Sequence, residues 1–130
     1  MTKSWKQGGC HCGAVRWEAE TEDEATVDEC DCSMCGLTGF LHLIVPASRF
    51  RLVSGEDDLS EYRFNSGVAR HLFCRRCGVK SFYVPRSNPD GYSLNLRCFD
   101  QGQFVRVEVR PFDGRNWEKG GASLAHLSRD

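Results

Sequence analysis

The stretch FCRRCGVK, residues 73–80, contains a C-x2-C pair that is followed directly by a glycine. This spacing lets two cysteine sulfurs reach one metal ion while the backbone turns tightly, and glycine tolerates such a turn. The pair provides two ligands, so a tetrahedral zinc site needs two more. The stretch GGCHCGAV, residues 8–15, offers natural partners, because its cysteine pair also precedes a glycine. The predicted structural zinc site, which would join the start of the chain to its middle, consists of Cys10, Cys12, Cys74 and Cys77.

A third cysteine group lies in CDCSMCG, residues 30–36, with C-x-C-x2-C spacing. If the two pairs share one zinc ion, this triple is left with an ion of its own. Three protein ligands and one open position are typical of catalytic zinc. Because thiolates donate charge to the metal, such a site suits the activation of a substrate thiol better than the activation of water. The predicted catalytic residues and ligands of the second zinc are Cys30, Cys32 and Cys35.

The eighth cysteine, Cys98, leaves an alternative open. As a fourth thiolate it would close the second zinc site, and both zinc ions would then be structural. Otherwise it is a small buried apolar residue within a strand. His11 is not predicted to be a ligand, because adjacent residues of a tight turn rarely all reach one ion.

Composition places the chain among ordinary globular proteins. It has 130 residues, of which 40% are hydrophobic and 27% charged, and its formal net charge is -1. This length fits one domain over residues 1–130, and the near-neutral charge predicts no nucleic-acid partner.

The longest apolar stretch, LIVPA at 43–47, is too short for a membrane span, and the N-terminus has no apolar run of a signal peptide. We therefore expect a cytoplasmic protein in which clustered cysteines bind metal instead of forming disulfides.

Short segments with β-type patterns dominate the chain. In AVRWEAE, for example, Val15, Trp17 and Ala19 alternate with polar residues. Helical periodicity is absent except around WEKGGASLAHL near the C-terminus. The class is therefore mainly β. The predicted strands are 14–20, 40–46, 50–55, 59–64, 68–73, 79–85, 92–99 and 104–112.

Three stretches together, GGCHCGAVRW, CDCSMCG and FCRRCGVKSFY, resemble the glutathione-dependent formaldehyde-activating enzyme family, which includes the centromere protein V type domain. The resemblance runs from about Gly9 to Lys119. It implies an Mss4-like fold, a zinc-bound β-sandwich of short antiparallel strands. It also implies two zinc ions, a structural one on the two pairs and a catalytic, labile one on the triple. The implied reaction adds glutathione to formaldehyde, and enzymes of this kind are classed as carbon–sulfur lyases from the reverse direction.

This chain departs from its relatives around the triple. Relatives often have histidine where Asp31 stands, and basic residues where Gly36 and Leu37 stand. Glutathione carries two carboxylates, which basic side chains are expected to hold. The candidates for that role are Arg49, Arg70, Arg75 and Arg76. The stretch FDGRNWE, residues 112–118, is interpreted either as a packing turn or as a rim of the substrate pocket that includes Trp117.

Two functions follow from these observations. The first is an enzyme that joins a small thiol, most simply glutathione, to formaldehyde or a similar aldehyde, or catalyses the reverse cleavage. The second is a non-catalytic module that binds a protein partner and holds two structural zinc ions. His42 and His71 lie in predicted strands and are interpreted as ordinary strand histidines.

Overall fold

In a computed structural model of the protein, which describes residues 3–116 and 121–129, ten short strands and one α-helix form the regular structure. The helix, α1, spans Ser33–Thr38. The strands are β1 (Lys3–Gly9), β2 (Arg16–Glu22), β3 (Glu24–Cys30), β4 (Leu41–Pro46), β5 (Phe50–Ser54), β6 (Leu59–Tyr62), β7 (His71–Cys74), β8 (Phe82–Tyr83), β9 (Gly91–Asn95) and β10 (Arg106–Phe112). No helix among the described residues is both long and apolar enough to cross a membrane.

The strands form three small sheets. One has the order β1-β2-β5, a second has the order β10-β3-β4-β9-β8, and β6 pairs with β7 alone. The predicted mainly β class with short antiparallel strands is confirmed, with one exception. Strand β10 runs parallel to β3, with Phe112 opposite Cys30. This exception matters because it places the end of β10 beside the cysteine triple.

An aromatic core joins the sheets. The alternation predicted for AVRWEAE is confirmed, because Val15, Trp17 and Ala19 are all fully buried. The Trp17 ring packs edge-on against Phe99, with centroids 4.9 Å apart. Its indole N–H donates to Ser81 Oγ at 3.0 Å, so the buried polar atom is satisfied. Burial of this ring joins the first sheet to the segments that carry the later cysteines.

The sequence patterns missed three elements. Strand β1 has a single large apolar residue, and β3 lies in an acidic stretch, a composition that is uncommon in strands. Helix α1 has only six residues, too few to show helical periodicity. The segment predicted as a strand over 79–85 contains only the two-residue β8. In the C-terminal stretch, a 3₁₀ helix spans Gly121–Ser128 instead of an α-helix.

Candidate metal centres and active site

The first cysteine cluster has the geometry of a tetrahedral metal site. The sulfur atoms of Cys10, Cys12, Cys74 and Cys77 all lie within 4.8 Å of one another. The Sγ of Cys12 is 3.7 Å from that of Cys10 and 3.7 Å from that of Cys74. Four sulfurs at about 2.3 Å from a zinc ion would be about 3.8 Å apart, which is close to the two separations of 3.7 Å, so the donor set fits zinc.

Two tight turns position these sulfurs. Gly13 and Gly78 follow the two pairs and have φ angles of 81° and 79°, a left-handed conformation that favours glycine. The Gly78 amide donates to the Cys74 carbonyl at 2.8 Å and closes the second turn. Backbone N–H groups of Cys12 and Val79 lower the pKa of the Cys77 thiol to about 6. The second turn therefore favours the thiolate form of Cys77, the form that a metal ion requires.

The second cluster is built by the end of β3 and the start of α1. Cys30 is the last residue of β3, Cys32 is the N-cap of α1, and Cys35 lies within the helix. Their three sulfurs also lie within 4.8 Å of one another. The Cys35 amide donates to Cys32 Sγ at 3.3 Å, as expected of a helix N-cap.

When no metal is bound, the arrangement of the three thiols favours deprotonation of only one of them. Hydrogen bonds with Cys30 and Cys32, together with burial, raise the pKa of Cys35. Hydrogen bonds from Cys30 and Cys35 lower the pKa of Cys32. Full deprotonation of all three sulfurs therefore needs a cation, so the donor set fits a zinc ion whose binding releases protons.

Two residues considered as ligands lie outside both clusters. Cys98 packs against the core cluster that contains Cys10 and Cys74, and burial, followed by the charges of Cys10 and Cys77, raises its pKa to about 11. His11 is exposed at the turn between Cys10 and Cys12. Neither belongs to the two described groups that could hold a metal ion.

A cavity of about 400 Å³ opens beside the triple. Its wall includes all three cysteines of the second cluster, whereas the four cysteines of the first cluster are absent from its described lining. Other polar and aromatic residues on the wall include His42, Phe64, His71, Tyr83, Arg86 and Arg115. The triple is therefore the cluster that borders a cavity of a size suited to a small molecule.

His42 of β4 is buried at this wall. Its Nδ1 lies 3.0 Å from Ser93 Oγ and 3.2 Å from the Tyr83 hydroxyl oxygen. Its Nε2 is the one buried side-chain nitrogen or oxygen without a hydrogen-bond partner among the described residues. Burial lowers the pKa of His42 to about 3, so the ring is neutral at pH 7.

His71 of β7 forms a pair with Lys80. The Lys80 Nζ lies 2.7 Å from His71 Nδ1. Burial is the main cause that lowers the pKa of Lys80 to about 8, against the opposing negative charges of Cys35 and Cys32. Burial and the Lys80 charge lower the pKa of His71 to about 4. At neutral pH the pair is therefore a neutral imidazole and an ammonium group.

The 112–116 segment runs along the triple and contributes to the cavity wall. Asp31 N donates to the Phe112 carbonyl at 3.2 Å, and Asp31 Oδ1 accepts from the Gly114 amide at 2.9 Å. Arg115 Nε donates to the Asp31 carbonyl at 3.2 Å. Phe112, Gly114 and Arg115 line the cavity, while Trp117 lies outside the described residues. Asp31 therefore holds this segment in place.

The four arginines predicted to hold carboxylates lie elsewhere. Arg75 and Arg76 both donate to Asp58, Arg70 donates to Glu61, and Arg49 lies near Glu20. None of the four is among the described residues of the cavity wall, where Arg86 and Arg115 occur instead.

Sequence reasoning missed most of the polar groups at the cavity. His42 and His71 were expected to be ordinary strand histidines, and Lys80, Tyr83, Arg86 and Arg115 were not selected. Their sequence positions carry no shared spacing, because β4 and β7 supply one residue each, the region around β8 supplies three, and Arg115 follows β10. The proximity of these strands in space brings the groups together.

Comparisons with known proteins agree with this geometry. A family model described as glutathione-dependent formaldehyde-activating enzyme matches residues 5–115. The chain is also similar to a Rhodobacter sphaeroides protein of known crystal structure, solved as a structural genomics target. That similarity has 34% sequence identity and a TM-score of 0.67, and it covers 78% of this chain and 98% of the other. The mainly β architecture with two cysteine clusters is consistent with the Mss4-like fold.

Proposed function

The chain belongs to the glutathione-dependent formaldehyde-activating enzyme family, and from this membership we propose that it joins a small thiol to formaldehyde. The reaction site is the cavity beside Cys30, Cys32 and Cys35. The product is an S-hydroxymethyl thiol, and the reverse reaction is a carbon–sulfur cleavage. Glutathione is the proposed thiol, in keeping with the family, and the cytoplasm is the proposed location.

This proposal is based on the different surroundings of the two cysteine clusters. Four sulfurs surround the first position, as in structural zinc sites, and we assign it that role. Three sulfurs surround the second position, which borders a cavity of about 400 Å³. A zinc ion bound there would supply a position at which a substrate thiol is kept deprotonated.

The remaining residues of the cavity suit a thiol that carries carboxylates. Arg86 and Arg115 are exposed residues of the wall, and their positive charges favour a ligand that carries carboxylates. The aromatic rings of Phe64, Tyr83 and Phe112 provide apolar surface on the same wall. Burial and the neighbouring cysteines raise the pKa of Tyr83, so its phenol stays protonated.

In the proposed reaction, the thiolate sulfur attacks the formaldehyde carbon. A carbon–sulfur bond forms, and the carbon–oxygen double bond becomes a single bond to an alkoxide oxygen. That oxygen then takes one proton to become the hydroxyl group of the product. The protein contributes by orienting the two reactants and by excluding water from the cavity.

The test measures zinc content and turnover in the same protein sample. Purified wild-type chain is expected to bind two zinc ions and to accelerate product formation from glutathione and ¹³C-labelled formaldehyde above the uncatalysed rate, as followed by NMR. Cys30→Ser should lose one zinc ion and the acceleration. Cys98→Ser, a matched change outside both clusters, should keep both.

A different outcome would favour the non-catalytic module. If the wild-type chain holds two zinc ions but glutathione leaves the metal spectrum of a cobalt-substituted sample unchanged and no acceleration occurs, the thiol-activation proposal is wrong. Loss of the zinc ion at the triple, and not of the one at the four-cysteine cluster, from Cys98→Ser would indicate a closed second site with Cys98 as its fourth ligand.

A further inference from the structure

The proposed reaction needs a proton donor for the alkoxide oxygen, and the pair of His71 and Lys80 has the geometry for this role. We propose that His71 is a catalytic residue whose Nε2–H protonates the alkoxide, and that Lys80 is the positioning residue that sets the His71 tautomer and replaces its proton. This inference rests on the proposed function and assigns its proton donor.

The surroundings of the His71 ring determine which of its edges can reach a substrate. The ring stacks on Tyr83, with centroids 5.1 Å apart and planes 12° apart, and on Phe64, with centroids 5.3 Å apart and planes 21° apart. Lys80 occupies the Nδ1 edge at 2.7 Å. His71 nevertheless lines the cavity. The edge left for the cavity is therefore the one that carries Nε2.

Lys80 also determines where the imidazole proton lies. An ammonium group can donate hydrogen bonds but cannot accept them, so His71 Nδ1 must be the acceptor. A neutral imidazole that accepts at Nδ1 carries its proton on Nε2. The edge that faces the cavity is consequently an N–H donor, as a general acid requires.

The same pair can restore the proton after the transfer. When Nε2–H is given to the alkoxide, the new O–H bond forms and the Nε2–H bond breaks. At the same time Nδ1 takes a proton from the Lys80 ammonium group, so an Nδ1–H bond forms and an Nζ–H bond breaks. The products are a neutral His71, a neutral Lys80 amine and the thiol adduct, and solvent then reprotonates Lys80 and resets the tautomer.

The electrostatic surroundings of the pair are compatible with this transfer. The groups that act on Lys80 are Cys35 and Cys32, while His71 is affected by Lys80 and Cys32. Tyr83 contacts both, since its ring stacks on His71 and lies 3.9 Å from the Lys80 Nζ. Burial lowers the pKa of Lys80 to about 8. The free-energy cost of removing a proton from its ammonium group near neutral pH is therefore small.

His42 is a less suitable donor in the same cavity. Its Nε2 has no hydrogen-bond partner among the described residues, but that atom is inaccessible to solvent. Its Nδ1 lies between two hydroxyl groups, either of which can donate or accept, so its tautomer is not determined by its partners. In His71 the Lys80 contact determines the tautomer, and the Nε2 edge is the one left for the cavity.

The experiment compares pH–rate profiles of zinc-loaded variants in the ¹³C-formaldehyde assay. Wild-type rate is expected to fall as pH rises through about 8, because the Lys80 ammonium group is lost. His71→Gln should lower the rate by about 100-fold, the scale of general acid catalysis. Lys80→Arg keeps a donor at Nδ1 but cannot release a proton, so it should lower the rate and remove the fall near pH 8.

Controls separate proton delivery from metal binding and folding. His126→Gln and Lys3→Met change exposed residues of the same types and should keep the wild-type profile. Zinc content and the cobalt spectrum with glutathione should be unchanged in all variants. In ¹⁵N-histidine NMR, His71 of the wild type should show a protonated Nε2, and Lys80→Met should give a mixture of tautomers.

Two results would overturn the inference, and they are distinguishable. If the wild type accelerates the reaction while His71→Gln and Lys80→Arg keep its rate and profile, the proton donor lies elsewhere and the proposed function stands. If the wild type binds zinc but never accelerates the reaction, the proposed function fails and the relay fails with it.

Discussion

Gly114 is the residue at which the C-terminal part of the chain touches the cysteine triple. A methyl group at this position would collide with Cys30 Sγ and would lie 2.9 Å from Cys32 Cβ. The requirement for glycine here comes from close approach of the backbone to the proposed ligands. Residues that border metal ligands in this way orient them and influence metal affinity.

We expect Gly114→Ala to weaken zinc binding at the triple by about 10-fold or more, because Cys30 must shift to accommodate the methyl group. Competition with a chromophoric chelator measures this affinity. Gly36→Ala is the matched control, since a Cβ at position 36 lies 3.7 Å from its nearest atom, the Asp31 carbonyl oxygen. Equal affinities of the two variants would contradict the proposed contact.

At the scale of elements, the 112–116 segment depends on Asp31 for its position. The Asp31 carboxylate accepts from the backbone N–H groups of Gly114 and Arg115, at 2.9 and 3.3 Å. These bonds hold a 3₁₀ turn, Gly114–Asn116, against the start of α1. The Asp31 carboxylate therefore binds backbone amides. It acts on the triple indirectly, through the position of the 112–116 segment.

We expect Asp31→Ala to release this segment, at a cost of about 1 kcal/mol for lost hydrogen bonds. Hydrogen exchange of the Gly114 and Arg115 amides should then accelerate by about 5-fold. Asp31→Asn keeps an acceptor oxygen and should show a smaller change. The assignment would be wrong if exchange at both amides were the same in Asp31→Ala and the wild type.

At the scale of the whole molecule, the four-cysteine cluster joins the turn after β1 to the turn after β7. Cys10 and Cys74 are buried against the aromatic core that also contains Trp17. A metal ion at this position would therefore stabilise contacts between segments more than 60 residues apart, as the Cys12 to Cys74 separation of 62 shows.

We expect Cys77→Ser to lower the melting temperature by about 10 °C or more, since it removes one ligand of the proposed structural zinc. Differential scanning calorimetry measures this change. Cys98→Ser should change the melting temperature little, because Cys98 lies outside both clusters. A Cys77→Ser protein with wild-type stability and two zinc ions would overturn the structural assignment.

The cysteine spacing predicted which sulfurs lie together within each motif, because short C-x-C and C-x2-C turns bring sulfurs together locally. The joining of the two pairs into one cluster was predicted from the count of ligands that zinc needs. Strand alternation predicted the burial of Val15, Trp17 and Ala19. Element bounds were less predictable, and β1, β3 and α1 were missed since their sequences are polar or short. That residues 1–130 form one domain stays a prediction.

The sequence alone determined which cysteines lie together within each short motif, because that spacing acts over a few residues. That the pairs Cys10/Cys12 and Cys74/Cys77 meet was predicted from the need of each pair for two more ligands, and their meeting depends on the fold. Only the tertiary structure decided what surrounds the triple. His42, His71 and Lys80 come from β4, β7 and the region before β8, and the parallel pairing of β10 with β3 brings in Gly114. Contacts of this kind depend on how strands pack and pair in space, and packing depends on the whole core. The cysteines that could hold metal were therefore readable from the sequence, while the groups that would move a proton beside them were not.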